Sequence, residues 1–353
     1  MDLTKDNITE LIKKIAIPAS VGTFFQTMYN LVDSKFAGLI SPEALTAIVK
    51  SFPIYLIIIA ASVGISAGTT ALISNTLGQK DTEKASVLFA QSIIVALLIT
   101  FVVTFIGIAS IKDILIILKS NNQIISYATD YMNVIFSGSI VIFLLVTINA
   151  SLVSRGDTKS YRNVLIFSFF LNILLNPLFI YGFYLIPAMG ISGIALATIV
   201  SELIGLIYLI YKINKTEIRE YLSPECFKPK MALISDILKQ AIPSGLSMGM
   251  VGFGVFILIY LVSSYGDFSA GGYGTGVRFE QLFLLPILGL NTATLSLVGQ
   301  NFGANNLNRI KEIYILTLKY GIGLMIIGGL IIFISSPYVM RFFSDNSDII
   351  YYG

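Results

Sequence analysis

Apolar runs long enough to cross a bilayer alternate with short polar stretches along the whole chain. They fall at about residues 11–38, 49–74, 87–111, 127–153, 162–182, 188–211, 239–263, 274–298 and 314–335. Each is about 20 residues or longer, the length a helix needs to span roughly 30 Å of hydrocarbon. The runs are continuously apolar, whereas a lipid-facing barrel strand would alternate. The pattern therefore predicts nine transmembrane helices in an all-α polytopic membrane protein. The first run is too long for a cleavable signal and has no small-residue cleavage motif after it.

Polar residues inside these runs are the informative exceptions. The first run, IAIPASVGTFFQTMYNLVDSKFAG, carries Gln26, Asn30 and Asp33 at spacings of four and three, which places them on one helical face. A carboxylate at membrane depth costs roughly 2.5–3.5 kcal/mol on insertion scales, so Asp33 should face protein or a watery cavity. Pro18, early in the same helix, is a natural place for bending.

The pattern also repeats. Lys14-Ile15-Ala16-Ile17-Pro18 reappears as Lys239-Gln240-Ala241-Ile242-Pro243, an offset of 225 that also pairs Gly64 with Gly289, Thr69 with Thr294, Gly78 with Gly303 and Asn121 with Asn346. One repeat holds six spans, and an even number restores the starting side, so the copies are parallel and related by an axis along the membrane normal. The expected architecture is 6+6, with the second copy truncated after its third helix. Residues 1–211 form an N-lobe of six spans, 212–238 a charged interlobe linker, and 239–353 a partial C-lobe of three spans plus the start of the next.

Composition agrees with this layout. The chain is 55% hydrophobic and only 12% charged, with mean hydropathy +0.83, where soluble domains are about a quarter charged. Of its 23 Lys and Arg, 17 lie in the N-terminus and the even-numbered loops. The positive-inside rule then makes the N-terminus cytoplasmic. The net charge of +3 reflects topology, and nucleic acid is not an expected partner. With one cysteine, Cys226, and no histidine, neither an internal disulfide nor the usual zinc spacings are available.

QTMYNLVDSKFAG in the first span, ASVGISAGTTALISNTLGQKD in the second, its counterpart LLPILGLNTATLSLVGQNFGANN, and NILLNPLFIYG in the fifth together resemble the multidrug and toxic compound extrusion (MATE) family. The likeness covers essentially the whole chain. The absence of an acid in the seventh span resembles the DinF-like branch. The resemblance implies two six-helix lobes around a central cavity, exporting amphipathic, often cationic compounds in exchange for protons or sodium ions. It places the coupling-cation site at Asp33, Asn172 and Asn176, the last standing where the family often has aspartate. With one carboxylate fewer, a proton on Asp33 becomes the simpler coupling species, though neutral oxygens could still hold sodium there. No cofactor beyond the coupling ion is implied, and the unit expected in the cell membrane is a monomer.

Each candidate has a structural alternative. Asp33 could take up a proton on one side and release it on the other, or simply pair with Lys35 or Lys50. Asn172 and Asn176, one turn apart, could belong to the cation site or bond between helices, as membrane asparagines commonly do. Glu280 in GVRFEQLFLLP and Glu202 in IVSELIGL are read as substrate-cavity acids, against roles in a helix-end ion pair and an interhelical hydrogen bond. Tyr29, Met28 and Phe52 could line the cavity for flat, apolar cations.

Within the same superfamily a lipid-linked oligosaccharide flippase is the alternative, but it would want a more cationic cavity. An intramembrane enzyme is disfavoured by the lack of histidine and of a Ser–Lys or paired-Asp motif. A channel is disfavoured by scattered, unringed charges, and no nucleotide-binding loop is present.

Overall fold

The computed structural model describes residues 1–118, 120–263 and 267–343. The expected start of a further span at the C-terminal end, and the repeat match at Asn346, lie outside the described residues. The fold is all-α, as the apolar runs require. Helices are α1 (Ile8–Ile40), α2 (Pro42–Gly78), α3 (Thr82–Ile117), α4 (Asn122–Val153), α5 (Lys159–Tyr181), α6 (Ile191–Ile213), α7 (Met231–Ser263), α8 (Asp267–Gly303) and α9 (Leu307–Phe343).

The helix starts are written locally. Asn7, Ser41, Asp81 and Asn121 each accept a hydrogen bond from the backbone N–H three residues on, which satisfies one otherwise unpaired donor in the first turn. Pro42 directly follows Ser41, where its missing N–H costs nothing. Pro18, Pro53, Pro177, Pro243 and Pro286 lie inside helices.

Among the described residues seven helices are long and apolar enough to cross a membrane by themselves, which makes this a multi-pass membrane protein. Of the other expected spans, α1 falls short of that measure. In α1 the cause is visible: Ser20, Thr23, Gln26, Thr27, Asn30, Asp33 and Ser34 dilute its apolar character. At about 1.5 Å per residue, its 33 residues still extend to roughly 50 Å.

The largest core packs α2, α3, α4, α5 and α6 around fully buried Ile58, Ile65, Phe136 and Phe143. A second core joins Leu11, Ile12 and Ile15 of α1 to Leu290, Ala293 and Leu297 of α8 and Ile313 of α9. Outward faces, such as stacked Phe101 and Phe105 on α3, are exposed and apolar, as lipid contact demands.

The loops that the basic residues mark out gather at one end. Asn301, near the α8–α9 turn, donates to the Leu3 carbonyl at 3.0 Å, Arg309 donates to the Asp6 carbonyl, and Gln300 donates to the Ser154 carbonyl beyond α4 at 2.8 Å. The linker expected at 212–238 is shorter than that. Helix α6 runs on to Ile213 and α7 begins at Met231 rather than near 239, because its first turns are amphipathic, burying Ile234 and Ile237 beside exposed Ser235, Asp236 and Lys239, and so break the continuous apolar run. Two short 3-10 turns, Glu217–Arg219 and Pro224–Phe227, occupy the interval.

Candidate functional site

Helix α5 supplies two amides on one face. Asn172 and Asn176 are one turn apart and fully buried, and Asn176 Nδ2 donates to Asn172 Oδ1 at 2.9 Å. The same Nδ2 donates to Asp33 Oδ1 of α1, also at 2.9 Å. Thr198 of α6 donates its hydroxyl to Asp33 Oδ2 at 3.0 Å. One carboxylate thus ties α1, α5 and α6 together.

Close helix approach makes this reach possible. Gly22 of α1 faces α5, where a Cβ would lie only 3.1 Å from Leu165 Cδ1 and 3.3 Å from Arg162 Cα. Phe25 of α1 meets Phe169 of α5 edge to face, with centroids 5.5 Å apart.

Asp33 is 5% exposed, and no lysine or arginine pairs with it among the described residues. Lys35 is exposed and Lys50 donates to the Leu118 carbonyl at 3.1 Å, so the ion-pair alternative is set aside. A buried carboxylate held by two neutral donors lacks a compensating charge, and a bound cation or proton would supply one.

Glu202 belongs to the same interior. It lies one turn beyond Thr198 on α6, its Oε2 is buried without a hydrogen-bond partner, and it interacts electrostatically with Asp33 and with Tyr29, Tyr55, Tyr131 and Tyr161. The sequence assigned Glu202 and Tyr29 to the substrate cavity; Tyr29 is only 8% exposed, and both lie among the buried groups around Asp33.

The expected polar stripe on α1 divides. The buried positions are Gly22, Tyr29, Asp33 and Ala37, whereas Gln26 and Asn30 are exposed and contribute no hydrogen bond to Asp33. Phe52 and Glu280 are exposed and Met28 is half-buried. None of the proposed cavity residues lines the cavity of about 560 Å³ between α8 and α9 or that of about 610 Å³ between α2 and α8. Sequence reasoning missed Thr198, Ser201, Tyr55, Tyr131 and Tyr161. The i, i+4 pair Thr198 and Glu202 in a span otherwise apolar was the available signal.

Among the described residues no group of three or more His, Cys, Asp or Glu could hold a metal ion. What the pocket offers is carboxylate, amide and hydroxyl oxygen, suited to a proton or a hard monovalent cation.

The MatE family model matches residues 18–178 and 243–353. The chain is 29% identical over 356 residues to the probable multidrug resistance protein YpnP of Bacillus subtilis, covering 100% of this chain and 78% of the relative. It is 28% identical over 360 residues to the probable multidrug resistance protein NorM of Thermotoga maritima, covering 99% and 75%. Among solved structures, an outward-facing conformation of a multidrug resistance MATE family transporter superposes with TM-score 0.89 at 26% identity, over 99% of this chain and 77% of that one.

Proposed function

The chain belongs to the MatE family, and on that premise we propose that it is a secondary antiporter exporting amphipathic, often cationic compounds in exchange for a cation taken up at Asp33. The observation that carries the reading is Asp33 itself, a carboxylate within an apolar bundle, held by Asn176 and Thr198 and paired with no basic side chain among the described residues. Such a group is expensive unless it is loaded.

Loading and release would be sensed directly by the geometry. Asp33 is bonded to α5 and α6 from α1, so neutralising its charge weakens charge-assisted hydrogen bonds to both neighbours at once. Pro18, in the same helix, provides a site at which α1 can bend in response. Because Asn176 carries no charge, a proton on Asp33 is the simplest coupling event. The N-terminus and the basic loops would lie in the cytoplasm, and a monomer suffices.

The test is ethidium efflux from pump-deficient cells expressing the wild type or Asp33→Asn at matched levels, with proton and sodium gradients imposed in turn. Efflux that follows an ion gradient and disappears in Asp33→Asn supports the proposal. Normal efflux by the mutant would sink it.

A further inference from the structure

We propose that the segments leading into α1 and α7 are paired straps that lock one end of the bundle shut, with Asn301 and Gln91 as their latches, and that both release together when the transport path opens at that end. The inference goes beyond export as such and rests on the alternating-access reading above.

The stretch ahead of α1, Met1-Asp2-Leu3-Thr4-Lys5-Asp6-Asn7, is polar except at Met1 and Leu3. It is folded all the same. Asp2 Oδ1 accepts from the backbone N–H of Thr4 at 2.9 Å, and Asp6 N–H donates to the Asp2 carbonyl at 3.0 Å, a local turn of the kind aspartate favours. The turn sends Leu3 inward, where it is 1% exposed and joins the core that α1 shares with α8 and α9. The side chains of Met1 and Leu3 also close over Gly156, between α4 and α5, and leave no space for a Cβ there.

This strap is latched from the far end of the chain. Asn301 of α8, fully buried, donates to the Leu3 carbonyl at 3.0 Å, and Arg309 of α9 donates to the Asp6 carbonyl. The strap ahead of α7 is latched in the opposite sense. Gln91 of α3, also fully buried, donates to the Lys228 carbonyl at 2.9 Å and to that of Cys226 at 2.7 Å. Leu3 and Lys228 are 225 positions apart, the offset of the repeat. The same carbonyl in each copy is therefore held by a buried side-chain amide from the other.

The crossing continues into the helices. Ile12 and Ile15 of α1 pack against α8 and Ile313 of α9, whereas Ile234 and Ile237 of α7 pack against Val95 of α3. Ile12 and Ile237 are again 225 apart. Farther along, α1 changes partners, since Asp33 bonds to α5 and α6. Helix α1 thus joins two sets of helices, its first turns on α8 and α9 and its later turns on α5 and α6. Pro18 and Pro243 each stand 15 residues past the latched carbonyl, where the missing N–H gives each helix a point of bending. Separating the two sets of helices at this end must therefore pull on both straps. A seam held by two latches opens only when both let go, and weakening either one lowers the free energy of the shared open state.

Cys226, the chain's single thiol, lies in the second strap and can report on the first. The experiment is maleimide labelling of Cys226 in the purified protein in detergent, for wild type, Asn301→Ala, the isosteric Asn301→Asp and Arg309→Ala. These substitutions lie on α8 and α9, and the bonds they remove run to the first strap. Each variant should nonetheless label faster, by roughly twofold to tenfold, the factor that one lost hydrogen bond supplies. Thr104→Val gives up a hydrogen bond to the Phe136 carbonyl, about 20 Å along α3 from Gln91, and should label at the wild-type rate. Gel filtration and melting temperature report that each variant is folded. Wild-type rates in both Asn301 variants and in Arg309→Ala would show two independent tethers and overturn the shared gate. Equal acceleration by Thr104→Val would mean general loosening and overturn it as well. Labelling uses neither dye nor ion gradient, so ethidium efflux by the wild type tells a failed gate from a failed export reading.

Discussion

Lys80 and Asn305, 225 positions apart, hold the same left-handed backbone, with φ of 62° and 59°. Their surroundings match as well. Asp81 N–H donates to the Thr76 carbonyl at 3.2 Å and Asn306 N–H to that of Asn301 at 2.8 Å, so each residue ends a long helix through one turn motif. The two helix ends also meet. A Cβ on Gly78 would overlap the Gln300 carbonyl and one on Gly303 would overlap that of Asn75, and Asn75 and Gln300 are themselves 225 apart. Further along, Gly64 faces the Ala241 carbonyl and Gly289 that of Ala16, again the same pair displaced by 225. Reciprocal contacts of this kind are what two copies related by a twofold axis would make, and they support the tandem-repeat reading.

The first prediction concerns this seam. In Gly78→Ala the obstacle is backbone, which cannot rotate aside, so α2 and α8 must separate. The expected cost is about 1–3 kcal/mol, the usual range for overpacking. Gly323→Ala, in α9 with nothing near its Cβ position, should be neutral or stabilising by roughly 0.4–1 kcal/mol. Melting temperatures of the two variants in detergent decide the matter: equal values would mean that the seam is not tight.

The second prediction isolates one hydrogen bond. Thr198→Val keeps the shape of the side chain but leaves Asp33 Oδ2 without the donor now 3.0 Å away. Loss of a donor to a buried carboxylate costs roughly 1.5–3 kcal/mol, so ion-driven efflux should fall by about tenfold or more at saturating dye. Thr198→Ser retains the hydroxyl and should remain near wild type. Vesicle efflux at matched protein content provides the comparison, and equal rates for the Val and Ser variants would remove Thr198 from the mechanism.

Much of this was legible in the sequence because membrane helices expose their exceptions. Asp33, Asn172 and Asn176 stand out as polar residues in apolar runs, and the structure brings all three together. Helical spacing failed for Gln26 and Asn30 because it fixes which residues share a face without fixing how wide a face the neighbours cover. Here α5 and α6 enclose Asp33 and leave the other two outside. The surroundings of Glu202 stayed hidden for a related reason: a lone carboxylate in LIG-flanked sequence names no partner until α6 is set against α1. The start of α7 was read eight residues late, because an amphipathic first turn outside the bilayer is invisible to hydropathy.

The third prediction uses the chain's single thiol. Gln91 of α3 is fully buried and grips the linker between α6 and α7 with both ends of its amide. Its Nε2 donates to the carbonyls of Cys226 at 2.7 Å and Lys228 at 2.9 Å, and its Oε1 accepts from Lys230 N–H at 2.8 Å. Ser86, a turn and a half earlier, holds the Ile218 carbonyl at 2.8 Å. Cys226 is only 6% exposed while this clasp is closed, so a maleimide must wait for the linker to open. Three hydrogen bonds at about 0.5–1.5 kcal/mol each imply that Gln91→Ala lowers the opening free energy by roughly 1.5–4.5 kcal/mol. Labelling of Cys226 should then accelerate by at least about tenfold, with Gln91→Glu intermediate because it keeps one acceptor and loses the donor. The fold of the bundle should persist, since the deleted bonds all run to the linker. Unchanged labelling in Gln91→Ala would show that Ser86 and the buried Ile218 suffice to hold the linker down.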